Sequence, residues 1–128
     1  VNFGQDYRIE QEAISVNLEE IVRQFDLRVA VGQNLLDRAI TGGYCGDLLG
    51  DVMANAPIGC VWLTVQTHQN IVAVALLREM AAIVLTGGQT PDDETLIKAG
   101  VEGIPILLWP SSSFELAGKI TQAGVSCT

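Results

Sequence analysis

The stretch CVWLTVQTHQNIVAVALLREMAAIVLTGG, residues 60–88, sets two apolar runs of strand length on either side of a segment of helix length. In CVWLTVQ, residues 60–66, Val, Trp, Leu and Val form a near-continuous apolar run, the pattern of a strand covered on both faces. THQNIVAVALLREM then reads as a buried helix with Thr67 as its cap candidate, and AAIVLTGG as the next strand. Downstream the alternation repeats. TPDDETLIKAGVEG, residues 90–103, offers Thr90 as cap, Pro91 at the first helical position and Asp92, Asp93 and Glu94 in the first turn. IPILLW follows as a strand, and SSSFELAGKITQAG closes as a helix with a serine cap and Gly124 at its end.

Upstream, SVNLEEIVRQFD, residues 15–26, places Leu18, Ile21, Val22 and Phe25 on one helical face, behind Ser15 or Asn17 as cap. LRVAVG and RAITGG read as short strands, the second ending at Gly42-Gly43, and DLLGDVMANA as a short helix stopped before Pro57. The expectation is one α/β domain over residues 15–128, a mostly parallel sheet flanked by helices and joined by right-handed crossovers. Residues 1–14, without clear periodicity, read as an arm or an expression remnant. Thr-Gly-Gly occurs twice, at 41–43 and 86–88, but the flanking residues share little and point to chance punctuation rather than duplication.

At 128 residues the chain suits one domain. A chain of about 150 residues buries roughly 68–70% of the surface that its unfolded form exposes. Apolar residues at 48% against charged residues at 17% describe an ordered chain with few charges to spread over its surface. A formal net charge of −8 without a basic cluster argues against a nucleic-acid partner. The longest apolar run is interrupted by Arg78 and Glu79 and falls short of the about 20 residues a membrane span needs. Three cysteines, Cys45, Cys60 and Cys127, with no CxxC pairing and a single histidine, signal neither a disulfide framework nor a zinc site; a cytoplasmic setting fits.

Specific chemistries can be tested against the residues. A phosphate loop needs glycines followed by Lys and Ser or Thr, and the single Gly-Lys, Gly118-Lys119, is followed by Ile120 inside an expected helix. Gly42, Gly43 and Gly46 lack the dinucleotide spacing. His68 is the sole candidate base, in QTHQN where a strand gives way to a helix. There Gln66, Thr67, His68 and Asn70 could present hydrogen-bonding groups to an anion or nucleotide; the structural alternative is that Thr67 or Asn70 caps the helix and His68 satisfies a carbonyl. Asp37-Arg38 reads more simply as a turn and surface ion pair, and Gly42 and Gly43 as a corner needing positive φ. Asp47 and Asp51, one helical turn apart, read as a solvated face rather than a metal site. Cys45, beside the glycines, is the cysteine whose position bears on reactivity.

In LLDRAITGGYCGDLL, followed by VWLTVQTHQNIVAVA, GIPIL and SSFELAGKI, the chain resembles the DRTGG domain family over about residues 17–124. The name-giving motif is interrupted here, with Ala39-Ile40 between Asp37-Arg38 and Thr41-Gly42-Gly43. DRTGG domains are attached to phosphotransacetylase-type proteins and lie between regulatory cystathionine-synthase-type domains in some inorganic pyrophosphatases, where they help form dimers. Small stand-alone members, some near hydrogenase genes, are sometimes labelled serine kinases because they look like the non-catalytic part of HPr kinase/phosphorylase. The kinase's phosphate loop belongs to another domain, so that label does not transfer.

The resemblance implies a regulatory module that helps form dimers, and the leading expectation is a non-catalytic module that homodimerises and senses a nucleotide or other small anion, with no cofactor and no metal. Its candidate surface is Asp37, Arg38, Thr41, Gly42, Gly43, Tyr44 and Asp47, with Gln66, Thr67, His68 and Asn70 as a second group. The competing expectations are a serine-kinase-like phosphotransferase with an unrecognised phosphate site, and a docking subunit of a redox, hydrogenase-associated complex.

Overall fold

The computed structural model describes residues 16–125. The arm expected over residues 1–14, the Ser15 cap candidate and Cys127 lie outside them. Five strands form one sheet in the order β1-β5-β4-β3-β2: β1 Arg28–Val31, β2 Gly42–Cys45, β3 Cys60–Thr64, β4 Ala82–Leu85 and β5 Ile106–Leu108. β2 to β5 run parallel to one another, and β1 joins β5 antiparallel, with Arg28 opposite Leu108. The chain is an α/β fold with a mostly parallel sheet flanked by helices.

Helices α2 Leu49–Asn55, α3 Asn70–Leu77 and α4 Asp93–Glu102 are the crossovers between successive parallel strands. Because those strands add in one direction, right-handed crossovers bring all three helices to the same face. There Val52, Ile71, Val72 and Ala99 pack on Cys60, Trp62, Ile83, Leu85 and Ile106. The other face carries α1 Leu18–Phe25 and α5 Ser113–Gln122, whose Leu18, Ile21, Leu116 and Ile120 pack on Val61, Leu63, Val84 and Leu107. Alternate residues of β3 and β4 therefore enter opposite cores, and every residue of both strands is buried. This is why their sequences are apolar without a break.

Two local start signals act as the sequence indicates. Asn17 accepts from the Glu20 amide at the start of α1, and Ser112 from the Glu115 amide at the start of α5. Three others differ. The apolar residues of RAITGG do not form a strand ending at the glycines; β2 begins at Gly42. Ile40 is used elsewhere, its amide donating to Val16 O, beside an antiparallel bridge between Asn17 and Ala39. Thr67 does not cap α3, which starts at Asn70, and Thr90 and Pro91 precede α4, whose cap position is Asp92. In both cases backbone groups of the loops bond to each other: Thr67 O accepts from the Asp92 amide and from Thr95 Oγ1 at 2.7 Å, which ties the start of α4 to the end of β3.

Candidate functional site

The connection from β1 to β2 must pass from one edge of the sheet to the other, and it does so along the amino ends of the parallel strands. Gly32, at φ 91°, turns so close to Pro105 that a Cβ would lie 2.7 Å from Pro105 Cα. Arg38 Nη1 donates to Ala81 O at 3.1 Å, at the entrance to β4. Thr41 Oγ1 donates to Ile58 O, and its amide to Gly59 O at 3.1 Å, at the entrance to β3. Gly59 in turn has φ 81° and leaves no room for a Cβ against the Thr41 side chain. Asp37, Arg38 and Thr41 thus belong to a belt under the sheet, with Arg38 spent on a carbonyl and Asp37 exposed. Gly42 and Gly43 are strand residues outside the positive-φ set, which instead includes Gly32, Gly59, Gly87 and Gly88.

At the opposite end Asp47 and Gln66, one from each candidate group, meet. Asp47 Oδ1 accepts from Thr64 Oγ1 at 2.8 Å and from the Val65 amide at 2.9 Å, while Gln66 Nε2 donates to Asp47 O at 2.9 Å. A carboxylate bridging two strand ends in this way is a charge-assisted clamp. Asp47 and Asp51 are both exposed, as a solvated face requires, but they have separate partners: Asp51 accepts from the Tyr44 hydroxyl at 2.5 Å and from Asn55 Nδ2 at 3.0 Å. His68 Nδ1 accepts from the Asn70 amide at 3.2 Å, satisfying a free donor of the first turn of α3. A ring that accepts at Nδ1 carries its neutral proton on Nε2. Among the described residues no group of His, Cys, Asp and Glu side chains converges as a metal site.

The electrostatics run against thiol chemistry. Desolvation by the surrounding chain, and then the Asp47 carboxylate, push the thiol of the exposed Cys45 above its ordinary range, so a smaller share of it is thiolate at neutral pH than in a free cysteine. Burial pushes Cys60 up to about 11. The hydrogen bond to Asp51 is the main cause that holds the Tyr44 phenol above its usual range.

Two hollows open beside the sheet. One, of about 310 Å³, lies beside the edge strand β2, between Gly43, Tyr44, Val61 and Leu63 on the sheet and Ala117 and Ile120 on α5. The other, of about 350 Å³, lies beyond the carboxyl ends of β4 and β5 and is lined by Arg28, Gly88, Gln89, Thr90 and Trp109 among others. None of these five residues stood among the sequence candidates. They come from three distant segments, and only the antiparallel docking of β1 on β5 brings Arg28 to the place. The readable signal is WP directly after the strand ILL, an aromatic ring at a strand's carboxyl end.

No family model and no curated protein matches this chain. Among solved structures it is similar to the crystal structure of the CBS and DRTGG domains of the regulatory region of Clostridium perfringens pyrophosphatase, complexed with the activator diadenosine tetraphosphate. The TM-score is 0.66 at 17% identity, over 84% of this chain and 46% of that one. The chain therefore spans less than half of that structure's length. The likeness supports the DRTGG-related fold that the order of segments implied, and at this identity it carries the fold alone. No helix among the described residues is long and apolar enough to cross a membrane.

Proposed function

We propose that the chain is a non-catalytic regulatory module that homodimerises and responds to a small anionic ligand or nucleotide. The observation that carries this reading is the fold shared, over 84% of the chain, with a pyrophosphatase regulatory region complexed with a nucleotide activator. The use of the polar groups at the carboxyl ends of the strands supports it. Asp47 is held by Thr64 and Val65, and His68 Nδ1 by the Asn70 amide, so the obvious acid and base are occupied in holding loops. Loops shaped by a rigid sheet and fixed in this way are suited to presenting a surface.

Self-association is supported by β2. Among the described residues it is an edge strand, with one backbone edge unpaired and the apolar hollow beside it. Such an edge invites pairing with another strand.

A thermal-shift screen of nucleotides and anionic metabolites tests the sensing role. A saturable rise in melting temperature with at least one nucleotide is expected, and a flat response across the screen would remove that role. For the dimer, Gly43→Arg puts a charge on the apolar side of β2 where a Cβ has room, with Val61 no nearer than 3.9 Å. Sedimentation should show the variant shifted to monomer; an unchanged dimer would exclude this edge.

A further inference from the structure

The geometry points to a nucleoside monophosphate site in the hollow beyond β4 and β5, with the base against Trp109 and the phosphate at Arg28. It rests on the ligand-sensing reading above and names its ligand class and place. The hollow, about 350 Å³, is at the low end of the range of small-molecule pockets, roughly 300–1,000 Å³, a size for one base and sugar rather than two. It lies beyond the carboxyl ends of parallel strands, where α/β sheets bind their ligands.

Each wall has a separate chemical part. The indole of Trp109 is half-buried, and its Nε1 donates to Ser112 O at 3.1 Å, which fixes the ring and uses its one donor. What is left for a ligand is π surface, and stacking of a base on an aromatic ring contributes about 1–3 kcal/mol. Gln89 and Thr90 are exposed at the same wall and can hydrogen-bond to the base or ribose edges. Arg28 is exposed, and its planar fork matches phosphate oxygens.

The number of phosphates follows from what is already used. The Gly87 amide donates to Ser111 O at 2.6 Å and the Gly88 amide to Trp109 O at 3.2 Å, so this glycine turn is closed by its own loop and cannot cradle a polyphosphate. Asp26 lines the same hollow, and the chain carries a formal net charge of −8. Each added phosphate therefore meets repulsion with a single cation to offset it, which favours a monophosphate over a triphosphate.

The chain has two tryptophans, and Trp62 is fully buried in the core, so tryptophan fluorescence on ligand addition reports Trp109. Titration with AMP should quench it saturably, with ATP weaker than AMP and inorganic phosphate weaker still. Arg28→Gln should weaken AMP by about tenfold, as loss of one charge-assisted contact requires, and leave adenosine unchanged. Trp109→Leu should abolish AMP binding by calorimetry while circular dichroism confirms the fold. No saturable AMP response, equal AMP affinity in Arg28→Gln, or ATP tighter than AMP would each overturn the assignment. A nucleotide thermal shift that leaves Trp109 fluorescence unmoved would also overturn it, with the sensing role standing; no shift with any nucleotide or anionic metabolite would sink both.

Discussion

Around the amino ends of β3 to β5 the chain from Gly32 to Thr41 is anchored at three points, to Pro105 by contact, to Ala81 by Arg38 and to Ile58 and Gly59 by Thr41. Around the carboxyl ends of the same strands the loops are tied mainly to one another, Asp47 to Thr64 and Val65, Thr67 to Asp92 and Thr95, and Gly87 to Ser111, and the hollow at Trp109 remains. The difference teaches where stability and recognition reside in this sheet. The belt has no slack because one segment must cross under three strand starts. The loops above each serve one crossover, so they can be shaped for a ligand without disturbing the strand order.

If the belt is a stability device, its tightest point should be the most sensitive. Gly32→Ala forces an L-residue to φ 91° and puts a Cβ 2.7 Å from a backbone carbon. Strain from the backbone and from overpacking together should cost about 3 kcal/mol, read as a lower denaturation midpoint. Any ligand response should survive in the molecules that fold. A loss near zero would mean that the belt is loose, and the contrast would fail.

The two thiols carry the contrast into pH. Cys60, at the entrance to β3, has its thiol raised from 9.0 to about 11 by burial. Between those values the unfolded chain has released a proton that the folded chain keeps, so stability falls as pH rises through that window and is unaffected below it. At 1.36 kcal/mol per unit the loss approaches about 2 kcal/mol. Denaturation at pH 8 and pH 10.5 should show that loss in the wild type and a flatter dependence in Cys60→Ala; parallel profiles would exclude Cys60 as the source.

The smallest effect belongs to the open end. Asp47→Asn keeps an acceptor for Thr64 or Val65 but removes the charge that strengthens both bonds. A loss of about 1 kcal/mol is expected by chemical denaturation, with the nucleotide thermal shift unchanged because Asp47 does not line the hollow at Trp109. A stability loss as large as that of Gly32→Ala would erase the distinction between the ends.

Much of the fold was legible in the sequence because its signals are local. The continuous apolar runs at 60–64 and 82–85 announce strands buried on both faces, and Asn17 and Ser112 meet their amides three residues away. The candidate site was legible only in part. Asp47 and Gln66 do meet, and His68 stands at a helix start, but Asp37, Arg38 and Thr41 lie at the far end of the sheet. The cause is the reading of RAITGG as a strand. Ile40 alternates like a strand residue, yet its amide pairs with Val16, an interaction between segments that no local pattern reveals. Shifting the strand start to Gly42 moves the residues before it to the amino end.

By itself, then, the sequence determined the alternation of strands and helices, the burial of the central strands and the absence of a phosphate loop, since each depends on residues close in the chain. The tertiary structure alone decided which candidates share an end of the sheet and that Arg28 stands beside Trp109. Those outcomes depend on β1 docking antiparallel on β5 and on the path of the connection that follows it. Pairing between distant strands is a property of the whole core, and residues 28 and 109 become neighbours only when that core closes.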